Sequence, residues 1–320
     1  MLVSIIMPNY NTPYSFVEEA INSILKQTHK DFELLIIDDN STEFCEEGFW
    51  SKITSFDKRI RLLKNEHSKG VAGALNTGLD YATGVYVFRM DADDLSSPNR
   101  LKMQIDYMEK HKDISVLCGF AKCFGESSNW HKSPAKNISL KTTFLFNGAM
   151  VHPTICFRKS FLDEFNVKYT EGIQNEDYDL WTRLAIEPNI HFCTLKKKVL
   201  NYRVHNNQVT KTKLELLKQQ GIEVRKKYIS SLNATVDGQV LDDFAQFSLN
   251  SLPIERLPLL KNVQKSIFDS IKYSPIFHNS LYFRKAFWIN CLKKTINNSK
   301  RSQKRCFSTL FFDIFMFLFS

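Results

Sequence analysis

The chain has 320 residues, of which 43% are hydrophobic and 24% charged, with a formal net charge of +9. A chain of this size and composition can bury a core that needs no disulfide staples. Its seven cysteines, Cys45, Cys118, Cys123, Cys156, Cys193, Cys291 and Cys306, include no CxxC pair. That argues against a structural zinc cluster and a secreted disulfide framework, and for buried or incidental thiols in a reducing cytosol.

The first elements alternate. Val3-Ser4-Ile5-Ile6-Met7, closed by Pro8, predicts a buried strand that follows Met1 so closely that no secretory signal is expected. Asn11-Thr12-Pro13 predicts a cap with proline at the first helical position, and Phe16, Val17, Ala20, Ile21, Ile24 and Leu25 repeat at helical spacing. Leu34-Leu35-Ile36-Ile37 predicts a second strand ending at Asp38-Asp39, and Ile60-Arg61-Leu62-Leu63 a third. A helix over Gly73 to Tyr81 precedes a strand, Val85-Tyr86-Val87-Phe88, that runs to Asp91. A helix over Leu101 to Met108, an extended Ser115-Val116-Leu117, a loop over Asn129 to Ser139 and a helix over Asp177 to Ile186 follow. From Leu214 the chain reads as helical, basic and aromatic. A boundary near residue 212 is expected, with domains at 1–212 and 213–320. Strands separated by helices predict an α/β fold with a mainly parallel sheet covered by helices.

In open parallel sheets, ligands bind beyond the carboxyl ends of the strands. Pro8-Asn9-Tyr10-Asn11, Asp38-Asp39 and Asp91-Ala92-Asp93 all fall at such ends and are expected to converge on one crevice. Within Met90-Asp91-Ala92-Asp93-Asp94 the carboxylates repel one another unless a cation lies between them. Hard divalent ions such as Mg2+ or Mn2+ prefer oxygen ligands and bridge carboxylates to substrate phosphates. A solvated acidic turn capping the helix near Pro98 is the bland alternative. The apolar strand before it and the second acidic strand end favour the cation.

Five segments then occur in order: Ser4-Ile5-Ile6-Met7-Pro8-x-Tyr10-Asn11, Ile37-Asp38-Asp39-Asn40-Ser41-Thr42, Gly70-Val71-Ala72-x-Ala74-x-Asn76-x-Gly78, Asp91-Ala92-Asp93-Asp94, and Asn175-Glu176-Asp177-Tyr178-Asp179-Leu180-Trp181. In these the chain resembles the family 2 glycosyltransferases of GT-A fold, over roughly residues 1 to 210. The resemblance implies a hexosyltransferase that takes a sugar from a nucleotide diphosphate, with inversion at the anomeric carbon. It implies that Pro8, Tyr10 and Asn11 shape the nucleotide pocket, the Tyr10 ring offering a stacking face. Asp39, or its neighbour Asp38, would accept hydrogen bonds from base or ribose, and Asn76 would lie in the segment steadying the sugar diphosphate. Asp91 would face the ribose or the metal shell, and Asp93 would be the principal ligand of Mn2+ or Mg2+. Asp177 would be the base for the acceptor hydroxyl, with Glu176 the alternative. An acidic helix start would also account for this run, and both readings can hold together. His152, in Val151-His152-Pro153-Thr154, and Trp181 would line the acceptor side. In Tyr202-Arg203-x-His205, Arg203 could meet phosphate and His205 could join the metal shell. Leu75 stands where many relatives carry arginine, which weakens a phosphate role there. The glutamine-arginine-tryptophan signature and multiple spans of processive synthases are not evident, so single addition is expected.

Basic residues are concentrated late, from Lys261 to Arg305, and precede the apolar run Phe307 to Ser320, which is short of the roughly 20 residues that span a bilayer. This tail is expected either to lie in an anionic membrane interface or to pack internally. The full expectation is a UDP-hexose-dependent enzyme acting on a polyprenyl-diphosphate-linked saccharide in O-antigen or capsule assembly. It would be cytoplasmic, peripheral on the inner face of a bacterial plasma membrane. A sugar nucleotidyltransferase would want a glycine-rich basic loop after the first strand, which Pro8-Asn9-Tyr10-Asn11 lacks. A non-enzymatic membrane- or nucleic-acid-binding module would leave the acidic strand ends unexplained, and no nucleic-acid partner is expected.

Overall fold

Short apolar runs form a sheet from strands β1 (Val3–Asn9), β2 (Phe32–Asp38), β3 (Ile60–Lys64), β4 (Tyr86–Arg89), β5 (Leu95–Ser96), β6 (Val116–Gly125), β7 (Trp130–His131), β8 (Cys156–Arg158) and β9 (Phe192–Val204). The order is β3-β2-β1-β4-β8-β6-β9-β5, with β7 paired to β6. The first four strands in that order are parallel. β8 is antiparallel to both β4 and β6, β9 runs parallel to β6, and β5 and β7 pair antiparallel with β9 and β6. This is the α/β architecture expected, with antiparallel insertions in an otherwise parallel frame. The computed structural model describes residues 1–44, 46–205, 208, 213–232, 235–248 and 259–302.

The chain divides into two compact units: Met1–Ala135, Met150–Leu180 and Ile190–Thr212 form the first, and Lys136–Ala149, Trp181–Asn189 and Lys213–Ser320 the second. The first holds the sheet. Its helices include α1 (Tyr14–Leu25), α2 (Glu47–Phe56), α3 (Val71–Tyr81) and α4 (Arg100–Lys110). Val17, Ala20, Ile21 and Ile24 of α1 join Val3, Ile5, Leu34, Ile36 and Phe88 in one core. Each of the larger side chains here, fully buried, contributes roughly 1.5–3 kcal/mol. β1 and β2 are buried almost throughout, which is why they read as continuous apolar runs rather than alternating ones. Gly84 lets the turn before β4 cross the start of β1. A Cβ there would lie 2.4 Å from the Ser4 amide nitrogen.

The start of the first helix departs from the sequence reading. α1 begins at Tyr14 and has no side-chain cap. Asn11 adopts φ 49°, and its Oδ1 instead accepts from the Thr42 and Glu43 amides at 2.8 and 2.9 Å. The segment expected to be a loop, 129–139, contains β7 and the start of α5 (Asn137–Thr143).

The second unit is helical. It contains α5, the later part of α7 (Glu176–Ala185), and α8 (Leu214–Ser231), α9 (Gly238–Ser248), α10 (Leu260–Ile271) and α11 (Leu281–Ser302). A short α6 (Lys159–Glu164) belongs to the first unit. Phe146, Phe244 and Phe287 pack ring on ring in the second unit, and Phe268 stacks on Phe283. The buried Arg225 donates from Nε and Nη2 to the Phe146 carbonyl at 3.2 and 2.8 Å. Among the described residues no helix is long and apolar enough to cross a membrane. The tail from Phe307 to Ser320, with the expectations attached to it, lies outside the described residues, as do Cys45 and Cys306.

Candidate active site

Parallel pairing brings the carboxyl ends of β1, β2 and β4 to one edge. Asn9 is opposite Asp38 in the ladder, and the Met90 amide donates to the Ile6 carbonyl. β8 is antiparallel to β4, so the turn at His152–Thr154 before it arrives at the same edge, where the Arg89 amide donates to the Ile155 carbonyl at 3.1 Å. β6 and β9 run in the direction of β4, which delivers Arg203 and His205 there as well. Far-separated polar clusters therefore share one end of the sheet.

On the β1–β2 side, Asp38 accepts from Asn9 Nδ2 at 3.1 Å and from Ser41 Oγ at 2.6 Å. Asp39 is 4% exposed and accepts from Asn65 Nδ2 at 2.6 Å and from the Gly70 amide at 2.8 Å. Gly70 has φ +125°, a backbone that favours glycine, and this aims its amide at Asp39 just before α3 begins. Tyr10 is 46% exposed, with Lys69 Nζ 4.7 Å from the centre of its ring.

Beyond β4, carboxylate oxygens of Asp91, Asp93 and Asp94 lie within 4.8 Å of one another. Arg89 Nη2 pairs with Asp91 Oδ1 at 2.5 Å, and His205 Nε2 lies 3.0 Å from Asp93 Oδ2. Asp94 is fully buried. Its Oδ1 accepts from the Arg203 amide at 2.8 Å, while its Oδ2 has no hydrogen-bond partner. Arg203 Nε also donates to the Asp93 carbonyl at 2.7 Å, and its guanidinium packs 4.1 Å from the Phe16 ring centre. Burial raises the Asp93 carboxyl, and raises that of Asp94 much further, with repulsion from the neighbouring aspartates adding to both. Three clustered carboxylates, one of them fully buried with an unpartnered oxygen, form an all-oxygen set that fits a hard divalent ion.

The third cluster opens α7. Glu176, Asp177 and Asp179 occupy its first turn, where the helix dipole favours negative charge. Asp177 Oδ1 accepts from the Tyr178 amide at 2.6 Å, and Asp179 Oδ2 from Thr170 Oγ1 at 2.6 Å. Burial, then the charge of Asp177, pushes Glu176 up to about 8. Burial pushes Asp177 up to about 6, opposed by the Tyr178 amide and by Arg89. His152 is 7% exposed, with Nε2 2.9 Å from the Tyr169 hydroxyl and Nδ1 3.8 Å from Glu176 Oε1. Burial and Arg89 keep its imidazole neutral.

A network in the first unit ties this third cluster to the β2 side. Asn76 donates from Nδ2 to the Tyr169 carbonyl and to Glu171 Oε1, each at 3.0 Å, and accepts from the Tyr169 amide at 2.8 Å. Glu171 also accepts from the Ser68 hydroxyl and amide, and these bonds with that from Asn76 hold its carboxyl down to about 2. His67 bridges Glu171 and Asp80 at 2.9 and 2.7 Å.

A family model described as Glycosyl transferase family 2 matches residues 4–167. The chain is 34% identical over 220 residues to the Escherichia coli UDP-Glc:alpha-D-GlcNAc-diphosphoundecaprenol beta-1,3-glucosyltransferase WfgD, covering 68% of this chain and 83% of that protein. The chain belongs to the family 2 glycosyltransferases. It is also 32% identical over 217 residues to the E. coli O-antigen biosynthesis glycosyltransferase WbnJ, covering 67% of this chain and 84% of that one. In fold it resembles S. aureus TarS in complex with UDP-GlcNAc, with a TM-score of 0.61 at 19% identity, over 96% of this chain and 93% of that one. The GT-A glycosyltransferase frame thus accounts for the mixed sheet.

Three of the expected site residues are held by the fold itself. The Asn76 amide is engaged with Tyr169 and Glu171, and Asn11 holds the 42–43 backbone. Trp181 is fully buried. Sequence reasoning overlooked Arg89, Asn65, Tyr169 and Glu171. Only Arg89 left a signal: it is a lone charge in the apolar run from Val85 to Met90.

Proposed function

We propose that this glycosyltransferase is a metal-dependent, inverting hexosyltransferase that moves one sugar from a nucleotide diphosphate, UDP favoured, to a hydroxyl of a polyprenyl-diphosphate-linked saccharide. The observation that carries the reading is the meeting, at one sheet edge, of the clustered Asp91, Asp93 and Asp94 with a half-buried Asp177 whose carboxyl desolvation raises to about 6. The name of WfgD supports a lipid-linked acceptor and that of WbnJ supports O-antigen assembly, which together would place the enzyme peripherally at the inner face of a bacterial plasma membrane. A Pyrobaculum calidifontis mannosyltransferase in complex with GDP-Man and Mn2+ supports the metal; it has a TM-score of 0.51 at 16% identity, over 98% of this chain and 78% of that one.

Asp91, Asp93 and Asp94, with His205 beside them, would hold Mn2+ or Mg2+, whose charge offsets that of the departing diphosphate. Tyr10 would stack on the base, with Pro8 shaping the pocket, while Asp39 and Asp38 keep the nucleotide loops in place. Asp177, ionised above about pH 6, would take the proton of the acceptor hydroxyl as it attacks the anomeric carbon. Glu176, protonated to higher pH, would leave Asp177 as the base. His152, neutral and fixed by Tyr169, would orient Glu176 on the acceptor side. This chemistry is assigned to the first unit.

The test is a panel of UDP-, dTDP- and GDP-hexoses with Mn2+ and a lipid-linked acceptor, with NMR of the product anomer. UDP release that a chelator abolishes, and an inverted product, are expected. Asp93→Ala should remove both the activity and the rise in Tm on adding Mn2+ to the donor-free protein. A retained anomer would remove Asp177 from its role.

A further inference from the structure

We propose that the β6–β7–β9 face of the first unit docks on an anionic bilayer surface, with Trp130 as its interfacial anchor and Lys122, Lys132, Lys196, Lys197 and Lys198 as its charge. This deepens the lipid-linked acceptor reading and assigns the contact to the catalytic unit.

Trp130, on the short β7, is 46% exposed and stands opposite Lys122 in the ladder. Lys122 and Lys132 place their ammonium groups 5.4 and 5.2 Å from its ring centre, and Lys132 also reaches within 5.8 Å of Phe120. The neighbouring strand adds charge through a break in register. Leu195 is opposite Gly119 and Lys198 opposite Phe120, so Lys196 and Lys197 are extra residues on β9. They and Lys198 are exposed. Lys198 donates to Asn201 Oδ1 at 3.1 Å. None of the five lysines pairs with a carboxylate among the described residues. From Val116 to Ser133 the single acidic residue is Glu126, and from His191 to Val204 there is none.

An exposed indole rimmed by unneutralised lysines has the chemistry of a membrane interface, where tryptophan partitions at headgroup level and lysine is attracted to anionic lipid. One strand of this face, β9, also reaches the acidic centre. His131 packs edge-on against Tyr202 at 5.3 Å, and the following residue, Arg203, binds Asp93 and Asp94. An enzyme held here would meet an acceptor whose lipid end is embedded in the same surface.

Co-sedimentation of the full chain with phosphatidylglycerol-containing and with pure phosphatidylcholine vesicles tests this. Binding to the first only, weakened by salt, is expected. A Lys196→Glu, Lys197→Glu, Lys198→Glu triple variant should bind at least about 100-fold more weakly, and Trp130→Ala about 10-fold. Both should retain wild-type Tm and wild-type metal-dependent hydrolysis of donor without acceptor. Wild type that ignores anionic vesicles, or variants that bind them unchanged because another segment carries the affinity, would overturn the inference. So would variants that lose affinity for an RNA oligonucleotide but not for vesicles. Vesicle binding that behaves as expected without transfer to any lipid-linked saccharide would sink the acceptor reading and leave the surface standing. Transfer that persists while the variants bind as wild type would do the reverse.

Discussion

Asp177 carries the proton chemistry on the proposed reading, and its environment sets its working range. With the carboxyl raised to about 6 by burial, kcat should fall as pH drops through that value, because the protonated acid cannot accept a proton. Asp177→Asn should lower kcat by about 10²–10⁴-fold with little change in donor KM, and should abolish the acidic limb of the pH profile. A full pH–rate profile of both proteins measures this; an unaltered limb in the variant would exclude Asp177 as its source. Individual residues were legible where chemistry marked them, as with paired aspartates after an apolar strand. Asn65 and Glu171 were not, because their roles come from partners distant in sequence, Asp39 and Asn76. A solitary Asn or Glu in a polar stretch has no local signature of such a bond.

At the level of elements, the parallel half of the sheet was readable because helices cover both faces and leave uninterrupted apolar runs. β8 has three residues, too few for any periodicity. β9 was obscured by Lys196–Lys198, which break its pattern where the ladder bulges. The close packing of β1 under the turn before β4 gives an element-scale prediction. In Gly84→Ala the new Cβ would meet backbone atoms of Val3 and Ser4 at 2.4–2.6 Å, and backbone cannot rotate away. The expected loss is about 1–3 kcal/mol, seen as a lower urea midpoint with unchanged m-value.

For the whole molecule, a net charge of +9 coexists with buried acids gathered at one sheet edge. Asp177 is raised from 3.8 to about 6 and Glu176 from 4.5 to about 8. A carboxyl whose folded pKa is raised favours the fold when protonated. Its contribution is complete below the unfolded pKa and is lost as pH climbs through the folded one. Asp177→Asn and Glu176→Gln, one at a time, should therefore raise the Tm of the metal-free protein by a few degrees near pH 8 and give no gain near pH 4. Thermal melts across that range measure it, and a Tm lowered at both ends would refute the linkage. The interleaving of the two units had no sequence signal. Lys136–Ala149 and Trp181–Asn189 fold with helices that begin after residue 213, and no shift in composition marks either junction.

The clamp formed by Asn76, Glu171, His67 and Ser68 has a consequence for donor binding. The loop whose Gly70 amide meets Asp39 is the same loop whose Ser68 grips Glu171, five residues before Glu176. A donor that steadies the former would quieten the latter without touching it. On the proposed reading, sugar nucleotide held near Asp39 would firm up the stretch leading to Glu176 through bonds that already join the two.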